Sequence, residues 1–212
     1  MHDSTEQELE KGLQMLGLPH TAGQLDNLAQ YLKLLEKWNK SYNLVAVSNS
    51  SSMVSRHLLD CLAIQPFLVG SIIVDVGSGA GLPGIPLAIL NPHKEFILVD
   101  SNGKKTRFLF QVKTTLKMDN ISVENCRIEH YQSHRQIDMV MCRAVSSLAD
   151  VVAKSQHLLS PGDKRCKLLA LKGRYPEKEL ALLPEDFVAS SIRKLQIPGS
   201  DSQRYLVEIV RS

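Results

Sequence analysis

The chain has 212 residues, 43% of them hydrophobic and 22% charged, with a formal net charge of +3 at pH 7. That composition excludes disordered, collagen-like and disulfide-scaffold classes, and the length suits one large domain with an extension. The four cysteines (Cys61, Cys126, Cys142, Cys166) form no Cys-x-x-Cys pair and have no zinc-site histidine spacing, so they read as reduced thiols and no metal is expected.

The first residues, MHDSTEQELEKG, carry charge where a signal peptide needs an apolar core. No apolar run approaches the roughly 18 residues of a membrane span. The expectation is a cytoplasmic protein without a membrane partner. Residues 1–66 read as a helical extension. Ser4 with Gln7, and Thr21 with Gln24, have capping-box spacing. Leu25, Leu28, Tyr31, Leu32, Leu35 and Trp38 then recur at helical intervals. A third helix is expected over SSMVSRHLLDCLAI, stopping before Pro66.

From residue 67 to 212 the rhythm changes. The runs IIVDV, EFILVD, NISVEN, IDMVMCRA, CKLLALKG and RYLVEIV read as strands, alternating with helical segments up to the last. That alternation implies parallel strands with crossover helices, a doubly wound α/β sheet.

The segment VDVGSGAGLPG follows the first of these strands and opens a helix, the context in which a glycine turn means a nucleotide-type site. Gly79, Gly81 and Gly84 satisfy G-x-G-x-x-G, and Asp100 lies about 20 residues on, a passable dinucleotide fingerprint. Gly77, Gly79 and Gly81 also read as G-x-G-x-G, with Asp75 in the strand before them. A carboxylate there suits the ammonium of S-adenosylmethionine (SAM) and would repel a pyrophosphate. SAM is therefore preferred to NAD, while Asp100 suits a ribose diol in either. Ile128 and Glu129, after the third strand, are placed to meet an adenine with a backbone N–H and a carboxylate.

Charge is uneven: residues 101–174 hold 14 of the 25 Lys/Arg but 6 of the 22 Asp/Glu. A basic middle on a near-neutral chain points to a polyanionic partner.

The segments KWNKSYNLVAV, RHLLDCLAI, DVGSGAGLPGIPLAI, VDSNGKKTRFL, MCRAVSSL and ALKGRYPEKE, in this order, resemble the glucose-inhibited division protein B family over about Leu28 to Val210. The resemblance implies a Rossmann-like class I SAM-dependent methyltransferase sheet. It also implies methyl transfer from SAM to N7 of a guanine in 16S ribosomal RNA, with that RNA or the small ribosomal subunit as partner. It puts SAM against Gly77, Leu82, Ile128, Glu129 and Arg143, and makes Lys104, Lys172 and Arg204 the basic residues suspected of holding RNA. Cys61 and Cys142 stand where the family usually has serine, and Tyr205 where histidine is common.

Guanine N7 has a lone pair and no proton, so attack on a methyl group needs no general base, and no catalytic residue is expected. CRAV stands where an exocyclic-amine methyltransferase would show Asn/Asp-Pro-Pro-Tyr/Phe. Cys142 lacks the preceding Pro or Thr expected of a cytosine-C5 nucleophile. Arg143, after an apolar strand, should emerge at the carboxyl edge of the sheet. Arg56, His57 and Asp60 share one helix, where the i to i+3 spacing of His57 and Asp60 suits a local network, and His57 reads as joining the extension to the sheet. The chain reads as a monomer. A small-molecule methyltransferase and an NAD-binding protein remain the alternatives.

Overall fold

The computed structural model describes residues 4–46, 54–143, 147–159, 166–200 and 202–212. The expected start of the third helix at Ser51, the Arg56 side chain and the AVS of MCRAVSSL lie outside the described residues.

Two helices open the fold, α1 (Ser4–Met15) and α2 (Ala22–Tyr42). The Thr21 hydroxyl accepts from Gln24 N while Gln24 Oε1 accepts from Thr21 N, so the capping box forms as its spacing demands. α2 ends at Asn43, whose left-handed backbone (φ 49°) stops the hydrogen-bond ladder. The third helical segment departs from expectation. It is π-helical over Val54–Leu59 and α-helical only over Asp60–Leu62 (α3), and Pro66 sits inside a separate 3₁₀ turn, Gln65–Phe67.

Among the described residues seven strands form one sheet: β1 (Ile72–Val76), β2 (Glu95–Val99), β3 (Ile121–Glu124), β4 (Met139–Arg143), β5 (Lys167–Lys172), β6 (Phe187–Leu195) and β7 (Arg204–Arg211). Their spatial order is β3-β2-β1-β4-β5-β7-β6. The first five are parallel, as the alternating pattern predicts, but β7 is antiparallel to both β5 and β6. β6 has no counterpart in the sequence reading. It is an edge strand, half-exposed and irregular between Ala189 and Ser191, so it lacks the apolar run that marks its neighbours. The helices α4 (Gly84–Leu90), α5 (Gly103–Leu116), α6 (Leu148–Ser155) and the single turn α7 (Glu177–Leu180) complete the layers.

Strand periodicity sorts the core. Ile73, Phe96, Leu98, Met139, Met141, Leu171 and Leu206 pack on one face with Leu9, Leu13, Leu28, Leu35, Leu58 and Phe108, so the N-terminal helices share a continuous core with the sheet. Val74, Val76, Val99, Val140, Cys142, Ala170 and Val207 turn to the other face, against Leu148, Val151 and Val152 of α6. The order reverses beside β1, which has β2 on one side and β4 on the other. In open α/β sheets a crevice forms there, at the carboxyl edge.

Candidate active site

The turn after β1 is built on left-handed glycines: Gly77, Gly79 and Gly81 have φ of +66°, +60° and +85°. Gly77 N and Ser78 N both donate to Val99 O, at 2.9 and 3.2 Å, which ties the turn to the end of β2. Gly81 and Gly84 serve close packing. A Cβ on Gly81 would lie 2.3 Å from Ile85 Cγ1, and one on Gly84 would lie 2.3 Å from Leu98 Cδ2 and 2.7 Å from Asp75 Oδ2. Gly79 instead opens outward, its nearest neighbours being Gly77 O at 3.8 Å and Lys105 Nζ at 4.0 Å. From the helical segment, the buried Tyr31 hydroxyl donates to Ala80 O at 2.7 Å, fastening α2 to the turn.

A cleft of ≈ 400 Å³ opens at the carboxyl ends of β1, β2 and β3. Four of the expected cofactor contacts, Gly77, Asp100, Ile128 and Glu129, line it together. Asp100 is held in place: Oδ2 accepts from Gly79 N at 2.9 Å and Oδ1 from Asn102 N at 2.8 Å. Each oxygen can accept again, so the carboxylate presents a fixed pair of acceptors to the cleft. The opposite wall was not anticipated from sequence. It comes from α6, which contributes Asp150, Val151 and Lys154, with Asp150 and Lys154 paired at 2.8 Å. Ser147, whose hydroxyl accepts from Asp150 N, caps this helix; a Ser-x-x-Asp spacing directly after a strand was the available signal.

Three expected contacts stand elsewhere. Gly79 reaches the cleft only through its bond to Asp100. Leu82 is buried in the core on the helical face. Arg143 shares strand parity with Met139 and Met141, so it turns toward α3 rather than the cleft. Its guanidinium donates to His57 Nδ1 at 3.0 Å and to Cys61 Sγ at 3.3 Å, and lies 3.5 Å from Asp60 Oδ2. Since an arginine only donates, His57 Nδ1 accepts, which leaves the ring proton on Nε2, 3.3 Å from Ala46 O. Asp60 is fully buried and also accepts from Arg204 Nε at 2.7 Å. Burial pushes its carboxyl up, and the bond from Arg204 and the charge of Arg143 pull it back. The cluster ties α3 to β4 and β7, the joining role expected of His57.

Asp75 does not face the cleft. Its carboxylate is buried beneath the turn, with Oδ2 accepting from Gly84 N at 3.0 Å, and burial lifts its pKa to about 7. A direct contact with a cationic ligand would require it to leave that position.

The sequence model of the GidB family, described as rRNA small subunit methyltransferase G, matches residues 24–207. The chain belongs to the GidB family. A relative from Nitrosococcus oceani named ribosomal RNA small subunit methyltransferase G is 50% identical over 201 residues, covering 95% of this chain and 92% of its own. One of the same name from Pseudomonas syringae pv. syringae is 48% identical over 206 residues, covering 97% and 95%. Among solved structures, magnesium protoporphyrin IX methyltransferase from Synechocystis PCC 6803 with bound SAM aligns with a TM-score of 0.58 at 17% identity. The alignment spans 86% of this chain and 97% of that one, a likeness of fold.

In this GidB-family chain the three suspected RNA residues occupy different settings. Lys104 is exposed in the first turn of α5, where Asn102 caps the helix by accepting from Lys104 N and Lys105 N. Lys172 ends β5 and pairs with Glu179 at 2.9 Å, the same carboxylate oxygen that accepts from Leu148 N. Arg204 is committed to Asp60 through Nε. Burial pushes the Cys142 thiol up to about 12, so almost no thiolate exists at neutral pH.

Proposed function

We propose that this chain transfers a methyl group from SAM to N7 of a guanine in 16S ribosomal RNA, acting as a cytoplasmic monomer. The reading rests on family membership. The observation that carries it at the site is the cleft joining Gly77, Asp100, Ile128 and Glu129 at the sheet's reversal point. The polar groups there fit an adenosine: Asp100 offers two fixed acceptors for a ribose diol, and the Ile128–Glu129 turn offers a backbone amide as donor and a carboxylate as acceptor for an adenine edge. Gly77, with no side chain, admits a ligand close to the backbone. Gly79 and Leu82 support the loop from within, and Arg143 acts from the buried cluster beside it.

When bound, SAM supplies an electrophilic methyl group on a sulfonium. N7 brings its own lone pair and releases no proton, so the chain's residues bind and orient. Such positioning is worth roughly 7–11 kcal/mol in favourable cases. Lys104, Lys172 and Arg204 lie toward the edge where the RNA approaches and are proposed to meet its phosphates. Residues 67–212 are proposed as the methyltransferase domain and residues 1–66 as its N-terminal helical extension, which braces the cleft.

The test is methyl transfer from labelled SAM to small ribosomal subunits and to free rRNA, both from cells lacking this gene, with the modified base located by cleavage chemistry selective for N7-methylguanine. One labelled guanine in 16S rRNA is the expected result. Label on no RNA, with S-adenosylhomocysteine still bound, would redirect the search to small molecules. Binding of NADH in place of S-adenosylhomocysteine would overturn the cofactor.

A further inference from the structure

Antiparallel pairing brings a second group of residues to the same edge of the sheet as the cleft. β5 ends at Lys172, β7 begins at Arg204, and β6 ends at Leu195, all at the carboxyl edge. In the register Tyr205 lies directly between Lys172 and Lys194. Residues opposite one another in an antiparallel ladder share a face with Cβ atoms about 4.5–5.5 Å apart, so Tyr205 is flanked by two cations. Tyr175, from the loop after β5, packs on Tyr205 with ring centroids 5.5 Å apart and an interplanar angle of 83°. Arg174 beside it and Lys194 are exposed, while Glu179 is neutralised by Lys172.

Core packing does not account for Tyr175, which is 52% exposed. In an edge-to-face pair one ring gives its edge to the other's face, so at least one ring keeps both faces clear of its partner. A rigid aromatic surface ringed by cations matches a nucleotide: π-face for the base, charge for the phosphate.

We propose that the Tyr175–Tyr205 pair is a stacking platform for an unpaired base of the RNA substrate, with Arg174 and Lys194 taking the adjoining phosphates. The proposal rests on the reading of this chain as an RNA methyltransferase. Three strand spacings separate β1 from β7, about 14 Å in all. The platform therefore holds a base neighbouring the target, and the guanine to be methylated lies closer to the cleft. The ring pair adds grip and register; it takes no part in methyl transfer.

The experiment measures steady-state methylation of unmodified small subunits and of free 16S rRNA, together with rRNA binding across a salt series, for the parent, Tyr175→Leu, Tyr205→Leu, Tyr175→Phe and Lys194→Ala. Removing a ring that stacks a base costs roughly 5- to 150-fold in affinity. The Leu variants are expected to raise KM for RNA within that range, with kcat and S-adenosylhomocysteine affinity unchanged and the salt slope retained. Tyr175→Phe should restore KM, because the ring does the stacking. Lys194→Ala should flatten the salt slope by about 0.7–1. Because Tyr175 is exposed, its loss leaves the fold intact. A Tyr175→Leu enzyme with parental KM on an RNA that the parent methylates would overturn the platform alone. A parent that methylates no RNA would overturn the platform and the function together.

Discussion

Gly77 concentrates two demands on one residue, a left-handed backbone and a place in the wall of the cleft. A side chain there is strained at φ +66°, and an acidic one would add a charge beside Asp100. Gly77→Asp is expected to abolish S-adenosylhomocysteine binding by titration calorimetry, a loss of more than about 100-fold. Near-parental affinity would move the pocket elsewhere. Asp75 makes a pH prediction. Burial raises its pKa from 3.8 to about 7, so the folded state keeps a proton that the unfolded chain loses near pH 4. The stability this proton carries is complete below about pH 4 and lost as pH rises through about 7. Asp75→Asn does not titrate, so its urea midpoint should gain on the parent's across that window and hold a constant lead above it. A lead independent of pH would show that Asp75 ionises as an ordinary surface acid. At this scale the glycines and Asp100 were legible in the sequence, because backbone geometry fixes their spacing. Arg143 ends β4 at the carboxyl edge, as its place after an apolar run implies, and the alternation Met139, Met141, Arg143 carries the face it takes.

Among elements, the contact between α2 and the glycine turn matters most. Tyr31 spends its hydroxyl on Ala80 O, and both groups are buried. Tyr31→Phe leaves that carbonyl without its donor, at a cost of about 1–3 kcal/mol. For a chain of this size that lowers the melting temperature by roughly 2–4 °C per kcal/mol. Cofactor affinity is expected to fall as well, because the turn loses its brace. An unaltered affinity would make α2 a support for the core alone. The heptad-like run of α2 revealed the helix and its apolar face, but not its partner, which is 49 residues away in the chain. Local pattern encodes which face is buried; what it is buried against depends on topology.

For the molecule as a whole, charge and architecture divide the work along one edge. The cleft occupies the half of the sheet built by β1, β2 and β3, and cations gather where β5, β6 and β7 meet it. Lys104 lies on the helix that follows β2, near the cleft side. Lys104→Ala is expected to weaken RNA binding most at low salt and leave S-adenosylhomocysteine affinity untouched, as a phosphate contact does. A loss independent of salt would point to a different role. The α/β alternation was legible because parallel strands buried on both faces read as continuous apolar runs. β6 was not, because a half-exposed edge strand broken by a bulge carries no such run. That strand has a consequence in time as well as in space. β7 follows β6 in the chain yet lies inside it in the sheet, so β5 gains its second neighbour only when the last strand arrives. Until that docking, β5 presents an unpaired row of amides and carbonyls, the template on which nascent copies aggregate. The arrival of β7 closes that risk with the same step that brings Tyr205 beside Lys172.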